Sequence, residues 1–483
     1  MGDFEIARAR HQAGDLLEAD RLYRQVLASN PSHTDALHMR GIICLQRGDL
    51  ESATMLIEQA VNSEPRNIHY QNNLGEAYRL RGQLSQAENC FQNAINIDSR
   101  QAEAHGNLGL VLRQRGDTYA AVACFRKALS LNQNFVEAAI NLGASLNELG
   151  ELDQAITVLR EAVRVNPNLV EIRAHFGTCL LDSGRVSDAV SVLEEARDCF
   201  PGEPRLLLPL GEAYVAAGNL GRAAACIEHL LTIEPRNAQA HYVLADIRLM
   251  QERLHQADDA IQSALSLAPE NTAYLGLCGW IRRAQGRLDE SLTVLGRALS
   301  LAPEDIDLIN NRAETLLALG EEGKALSELQ HSLAADPFRA DTHNAIGNCL
   351  LARGDSEEAV DHFRQALARN PRLMVAWESL GRARKFSNED REEISRLEEL
   401  AQDENLTESM KSALYYTLGK LEDDCGEYDR AFGHYQQANE IRGRSVSFDP
   451  GAHARFVDRT INVFDRELFE AKKCVGNSSD IPV

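Results

Sequence analysis

Asn73, Asn107 and Asn141 stand 34 residues apart, and each is followed by Leu and Gly. Asn72 and Asn147 lie beside this series; Asn310, Asn311 and Asn344 form a second, looser set. A side-chain amide carries donors and an acceptor, so it matches one peptide unit of an extended chain. A row of such amides could hold a peptide backbone without reading its side chains. The alternative is that asparagine is simply common at this place in a repeated element. Arg79 and Arg113 share the 34-residue spacing. They could pair with a carboxylate or phosphate on a ligand. Alternatively, Glu76, Glu103 and Glu137 could neutralise them within the chain. All of this is the chemistry of recognition. No His-Glu-x-x-His, Walker loop, Gly-x-Ser-x-Gly or dinucleotide fingerprint occurs. The acidic residues read as exposed helix faces, and His105 and His175 as packing or groove residues. We therefore expect no catalytic residue, no metal ligand and no cofactor.

The elements that must position these side chains are written in the same period. Ala19, Ala53, Ala87, Ala121, Ala155, Ala189, Ala223 and Ala257 recur every 34 residues, and the register continues at Ser291, Ala325 and Ala359. With this alanine as position 20, position 8 is always Gly or Ala, as in Gly41, Gly75, Gly109 and Gly347. Position 15 is Gly from Gly14 to Gly354 with one exception, Glu252. Position 24 is large and apolar, as in Ile57, Phe91, Phe125 and Phe363, and position 32 is mostly Pro. Small residues at 8 and 20 let two antiparallel helices approach closely. The Gly at 15 suits the left-handed turn between them, and the Pro at 32 cannot continue the second helix. The large residue at 24 is expected to fill the space between neighbouring hairpins, so that stacking is obligatory.

Composition bounds the partners. The 483 residues carry a net charge of −22, which argues against nonspecific nucleic-acid binding and against an anionic membrane surface. The ten cysteines form no Cys-x-x-Cys pair. Cys90, Cys124 and Cys226 share position 23, where they read as small buried hydrophobes. With no apolar signal segment and no run able to span a bilayer, a reducing, cytoplasmic setting is expected.

The period divides the chain. Residues 1–387 read as eleven repeats plus the first helix of a twelfth. Residues 388–445 hold an irregular element and a last hairpin. Ser387-Asn388-Glu389-Asp390 reads as a loop and N-cap, followed by a helix over 391–402 with Ile394, Leu397 and Leu400 inward. Residues 446–483 read as a helical tail and linker, with an amphipathic stretch around Phe456, Ile461, Phe464 and Leu468.

These columns resemble the tetratricopeptide repeat (TPR) family over about four fifths of the chain, whose signature period is roughly 34 residues. The resemblance implies an all-α fold, a right-handed α-solenoid of 12–13 helix-turn-helix repeats. It also implies that first-helix positions 2, 5, 6, 9, 12 and 13 line a groove for an extended peptide or a partner's helix. The asparagine row is similar to the device in the TPR region of O-linked N-acetylglucosamine transferases. The clamp for chaperone C-terminal tails needs Lys at position 5, where this chain has Phe4, His38, Asn72, Gly106 and Ile140.

A narrower resemblance lies near the C-terminus. Leu414-Tyr415-Tyr416-Thr417-Leu418-Gly419-Lys420, Tyr428-Asp429-Arg430-Ala431-Phe432, His434-Tyr435, Ala438-Asn439, Phe448-Asp449-Pro450, His453 and Leu468-Phe469 are similar to bacterial TPR–sulfotransferase fusions. There a phosphate-binding loop follows, and Ile481-Pro482-Val483 looks like the start of the strand before it. The loop itself is absent, so no catalytic residue carries over.

The expected function is a scaffold that binds an extended protein segment through Asn72, Asn73, Arg79, Asn107, Arg113, Asn141, Asn147, Asn310, Asn311 and Asn344. The alternative is the substrate-recruiting, non-catalytic region of a PAPS-dependent sulfotransferase. A monomer, or weak end-to-end self-association through the last hairpin, is expected.

Overall fold

A computed structural model of the protein describes residues 2–403, 406–445 and 450–463. The described residues are helices and short connections, and they form two compact units, Met1–Pro269 and Glu270–Val483. In the first unit, antiparallel pairs follow one another from Asp3–Gln12 with Leu16–Ser29 to Ala238–Met250 with Leu254–Leu267. Each helix packs on its partner and on the next pair. The second unit continues the pattern from Thr272–Ala284 with Leu288–Leu301 to Ala340–Arg353 with Ser356–Arg369. The fold is an α-solenoid.

The turn chemistry follows the columns. Gly48 and Gly116 adopt φ of 78° and 85°, and Glu252 takes the same left-handed turn at 59°. The next residue caps the second helix: Asp49 accepts from the Ser52 amide at 3.1 Å, and Asp117 from that of Ala120 at 3.1 Å. Asn67 and Asn237 cap first helices in the same way.

The position-20 alanines are fully buried. Ser291 replaces one of them and is also buried; its hydroxyl donates to the Gly279 carbonyl at 2.7 Å, so the polar substitution is satisfied. The structure corrects the role expected for position 24. A Cβ on Gly75 would lie 2.7 Å from the Phe91 ring, and one on Gly109 would lie 2.7 Å from Phe125. The large residue therefore lies on the glycine of its own hairpin and sets the helix spacing inside it, rather than only between hairpins.

The break comes after Met374–Ala383. Ser387 and Asp390 form a capping box around a single 3₁₀ turn, and the helix Arg391–Ala401 follows with Ile394 and Leu397 buried. The hairpin Glu408–Asp424 with Tyr428–Ser445 resumes the pattern; a Cβ on Gly419 would meet the Tyr435 ring at 2.6 Å. The helix Pro450–Val463 exposes Phe456 and Ile461. Phe448, Asp449, Phe464, Leu468, Phe469 and residues 481–483 lie outside the described residues.

Candidate functional site

Two consecutive first helices, Ile68–Leu80 and Ala102–Gln114, present a cavity of about 330 Å³. It is lined by His69, Asn72, Asn73 and Glu76 from one and by Glu103, Asn107 and Leu110 from the other. These are repeat positions 2, 5, 6 and 9, so the structure brings three expected asparagines to one place. Asn72 is 6% exposed, and its Oδ1 has no hydrogen-bond partner among the described residues. A buried acceptor left unpaired costs about 1–3 kcal/mol. The Asn107 amide is likewise unpaired among the described residues.

The other expected residues are held within the protein. Asn73 Nδ2 lies 2.8 Å from His38 Nε2 on the preceding first helix. Burial pushes His38 down to about 4, so its ring is neutral and Nε2 can accept. The Tyr70 ring packs on His38, and its hydroxyl donates to Asp35 at 2.6 Å. Asn141 donates to the Glu137 carbonyl one turn back and accepts from Arg113 at 3.2 Å. Asn147 donates to Asp182 at 2.5 Å. In the second unit Asn311 donates to the Gly276 carbonyl at 2.9 Å and accepts from Arg283. Asn310 and Thr342 exchange hydrogen bonds in the core. Asn344 is buried, with Oδ1 unpaired among the described residues.

Neither arginine presents an open cation. Arg79 forms a two-pronged bond to Glu76, with both distances 2.7 Å. Arg113 donates to Glu148, one repeat further on, at 3.0 and 2.5 Å. The second partner was not the one expected from sequence. Many of these bonds span one repeat plus one residue, which joins consecutive first helices side by side. That offset is the signal that could have found His38, Asp182 and Glu148 in advance.

Sequence reasoning also missed Glu398, Glu422 and His434, whose ligand-type atoms lie within 4.8 Å of one another. Glu422 is fully buried and bound by Arg391 at 2.7 Å and Arg430 at 3.0 Å, and Arg430 also bonds Glu398. Guanidinium groups thus already supply the positive charge that a metal ion would bring.

The cysteines fit their expected place. Cys90 is buried, while Cys124 and Cys226 are half-buried, and burial raises all three thiols, that of Cys90 to about 12. Among the described residues no helix is long and apolar enough to cross a membrane.

Comparisons with known proteins fit this fold. Tetratricopeptide-repeat family models match residues 180–231 and 282–349, 208–272, and 340–373. A model described as the Cilia and flagella-associated protein 70 C-terminal domain matches residues 4–203. Among solved structures, the chain is similar to the APC/C hetero-tetramer Cut9-Hcn1. That match has 15% identity and a TM-score of 0.46, and covers 79% of this chain and 89% of the other. It is also similar to a tetratricopeptide repeat protein from Parabacteroides merdae, with 19% identity, a TM-score of 0.45, and coverage of 51% and 98%. No curated protein matches the chain. The described residues form an all-α solenoid, and tetratricopeptide repeats account for the matched segments within it. No match named here is a sulfotransferase.

Proposed function

We propose that this chain is a protein-interaction scaffold that binds an extended partner segment along the first-helix face of its first unit. The observation that carries the reading is the cavity between Ile68–Leu80 and Ala102–Gln114, where Asn72 and Asn107 keep hydrogen-bonding capacity that nothing in the described protein uses. A peptide N–H and C=O would satisfy both. The asparagine row shortens on this reading. Asn72 and Asn107 face the partner, whereas Asn73, Asn141, Asn147 and Asn311 mainly fix one repeat to its neighbour. The free thiols of the described cysteines fit a reducing, cytoplasmic setting.

The test is capture of the natural partner by the tagged chain from its host, with the partner identified by mass spectrometry. Replacing Asn72 and Asn107 together with Ala should lower capture at least tenfold and shift the melting temperature little. Undiminished capture would overturn the reading.

Substrate recruitment for a sulfotransferase rests on the C-terminal motifs alone. Reading the coding sequence downstream of Val483 decides it: an in-frame phosphate-binding loop supports it, and a natural stop without one removes it.

A further inference from the structure

The same cavity indicates which side chain the partner must carry. One of its donors is occupied, and its unpaired groups include a carboxylate and a buried amide oxygen. Asn73 Nδ2 is held by His38. Asn72 lines the cavity, and its buried Oδ1 has no partner among the described residues. The Glu103 carboxylate faces the same space and makes no ion pair or hydrogen bond among the described residues. Glu76 and Arg79 cancel each other. The charge left at the cavity is therefore negative, opposite to the basic spot that Arg79 and Arg113 suggested.

The pattern continues along the unit. Glu212 and Asp246 occupy the repeat position of Glu76 in later first helices. Burial pushes both carboxyls up, and no cation is paired with Asp246 among the described residues. Asp182 adds to the rise at Glu212, which also has a hydrogen bond from Gln239. Such half-buried carboxylates gain most from an incoming positive charge.

Building on the proposed scaffold role, we infer that the α-solenoid's partner segment is basic, and that one of its lysine or arginine side chains enters the cavity between Asn72, Glu103 and Asn107. An ammonium offers three donors and a guanidinium five, with no acceptor, which matches the unpaired Glu103 carboxylate and the Asn72 and Asn107 amide oxygens. Glu212 and Asp246 receive further basic residues of the same segment.

The test uses the full chain and three fluorescent peptides of equal length with alternating Gly and Ser. Every third residue is Lys, Gln or Glu. Binding is followed by anisotropy at two salt concentrations. The Lys peptide should bind at least tenfold tighter than the Gln peptide and lose affinity as salt rises. Asn72→Ala and Glu103→Gln should each weaken it severalfold, and Glu212→Gln with Asp246→Asn should weaken it further. Asp153→Asn, on the exposed side of a second helix, should leave it unchanged. A loss on Asp153→Asn equal to that on Glu103→Gln would show only diffuse attraction to an acidic protein, and would overturn the inference. Gln and Lys peptides binding equally, with Asn72→Ala weakening both, would overturn the basic side chain but leave the scaffold site standing. Binding of every peptide untouched by Asn72→Ala and Asn107→Ala would overturn both.

Discussion

Asn73 and His38 are 35 residues apart in sequence, yet their side chains meet at 2.8 Å across consecutive first helices. The amide that looked like a ligand contact is one half of a pin between repeats. Asn107, at the same position one repeat later, has no such partner among the described residues. The two asparagines should therefore fail differently. Asn73→Ala leaves a buried imidazole nitrogen without its donor and should cost about 1–3 kcal/mol of stability. Asn107→Ala should change stability by under about 0.5 kcal/mol while reducing partner capture. Denaturant titration of both variants beside the capture assay separates these roles. Equal stability losses would show that they share one.

The same pair sets a pH dependence. His38 is held neutral, its pKa lowered by burial from an ordinary value near 6.5 to about 4. Between these values the unfolded chain binds the proton and the folded chain does not. Stability is therefore fully present above about pH 6.5 and falls as pH drops towards 4. Linkage gives a loss of about 2 kcal/mol from His38 between pH 7 and pH 5. His38→Gln should flatten the fall in melting temperature over that range, measured against the parent chain. Parallel pH profiles would show that His38 does not contribute.

Much of the fold was legible in the sequence because each column does one local job. Alanine at position 20 is buried to zero exposure, glycine at position 15 takes the left-handed turn, and Ser387 with Asp390 caps the turn after the break. Less of the site was legible. Whether Arg79 or Arg113 is available to a ligand depends on which carboxylate comes within reach, and Arg113 chose Glu148 in the next repeat. Such a pairing depends on the stagger between repeats, which residue types at fixed positions do not state. Asn72 was named for its type; only its burial and empty acceptor distinguish it from Asn141, which bonds its own helix.

Glu252 is the exception in the glycine column and the only described non-glycine residue with positive φ, at 59°. A side chain in this conformation costs about 1 kcal/mol relative to glycine. Glu252→Gly should stabilise the chain by about that amount, seen as a raised urea midpoint with an unchanged slope. A lowered midpoint would mean that the side chain has compensating contacts.

Gly75 and Phe91 define the spacing inside one hairpin. A methyl group on Gly75 would come within 2.7 Å of the Phe91 ring. Gly75→Ala should cost about 1–3 kcal/mol through overpacking. Shortening the opposing side chain with Phe91→Leu should recover part of that cost, so the double variant should be more stable than the sum of the single changes predicts. Additive losses would place the strain elsewhere.

The most direct measurement is site-specific photocrosslinking to the captured partner. A photoreactive residue in place of Leu110, which lines the cavity, should crosslink the partner efficiently. One in place of Tyr119, 72% exposed on the second helix of the same repeat, should not. Crosslinking from Tyr119 but not from Leu110 would contradict binding at the first-helix face.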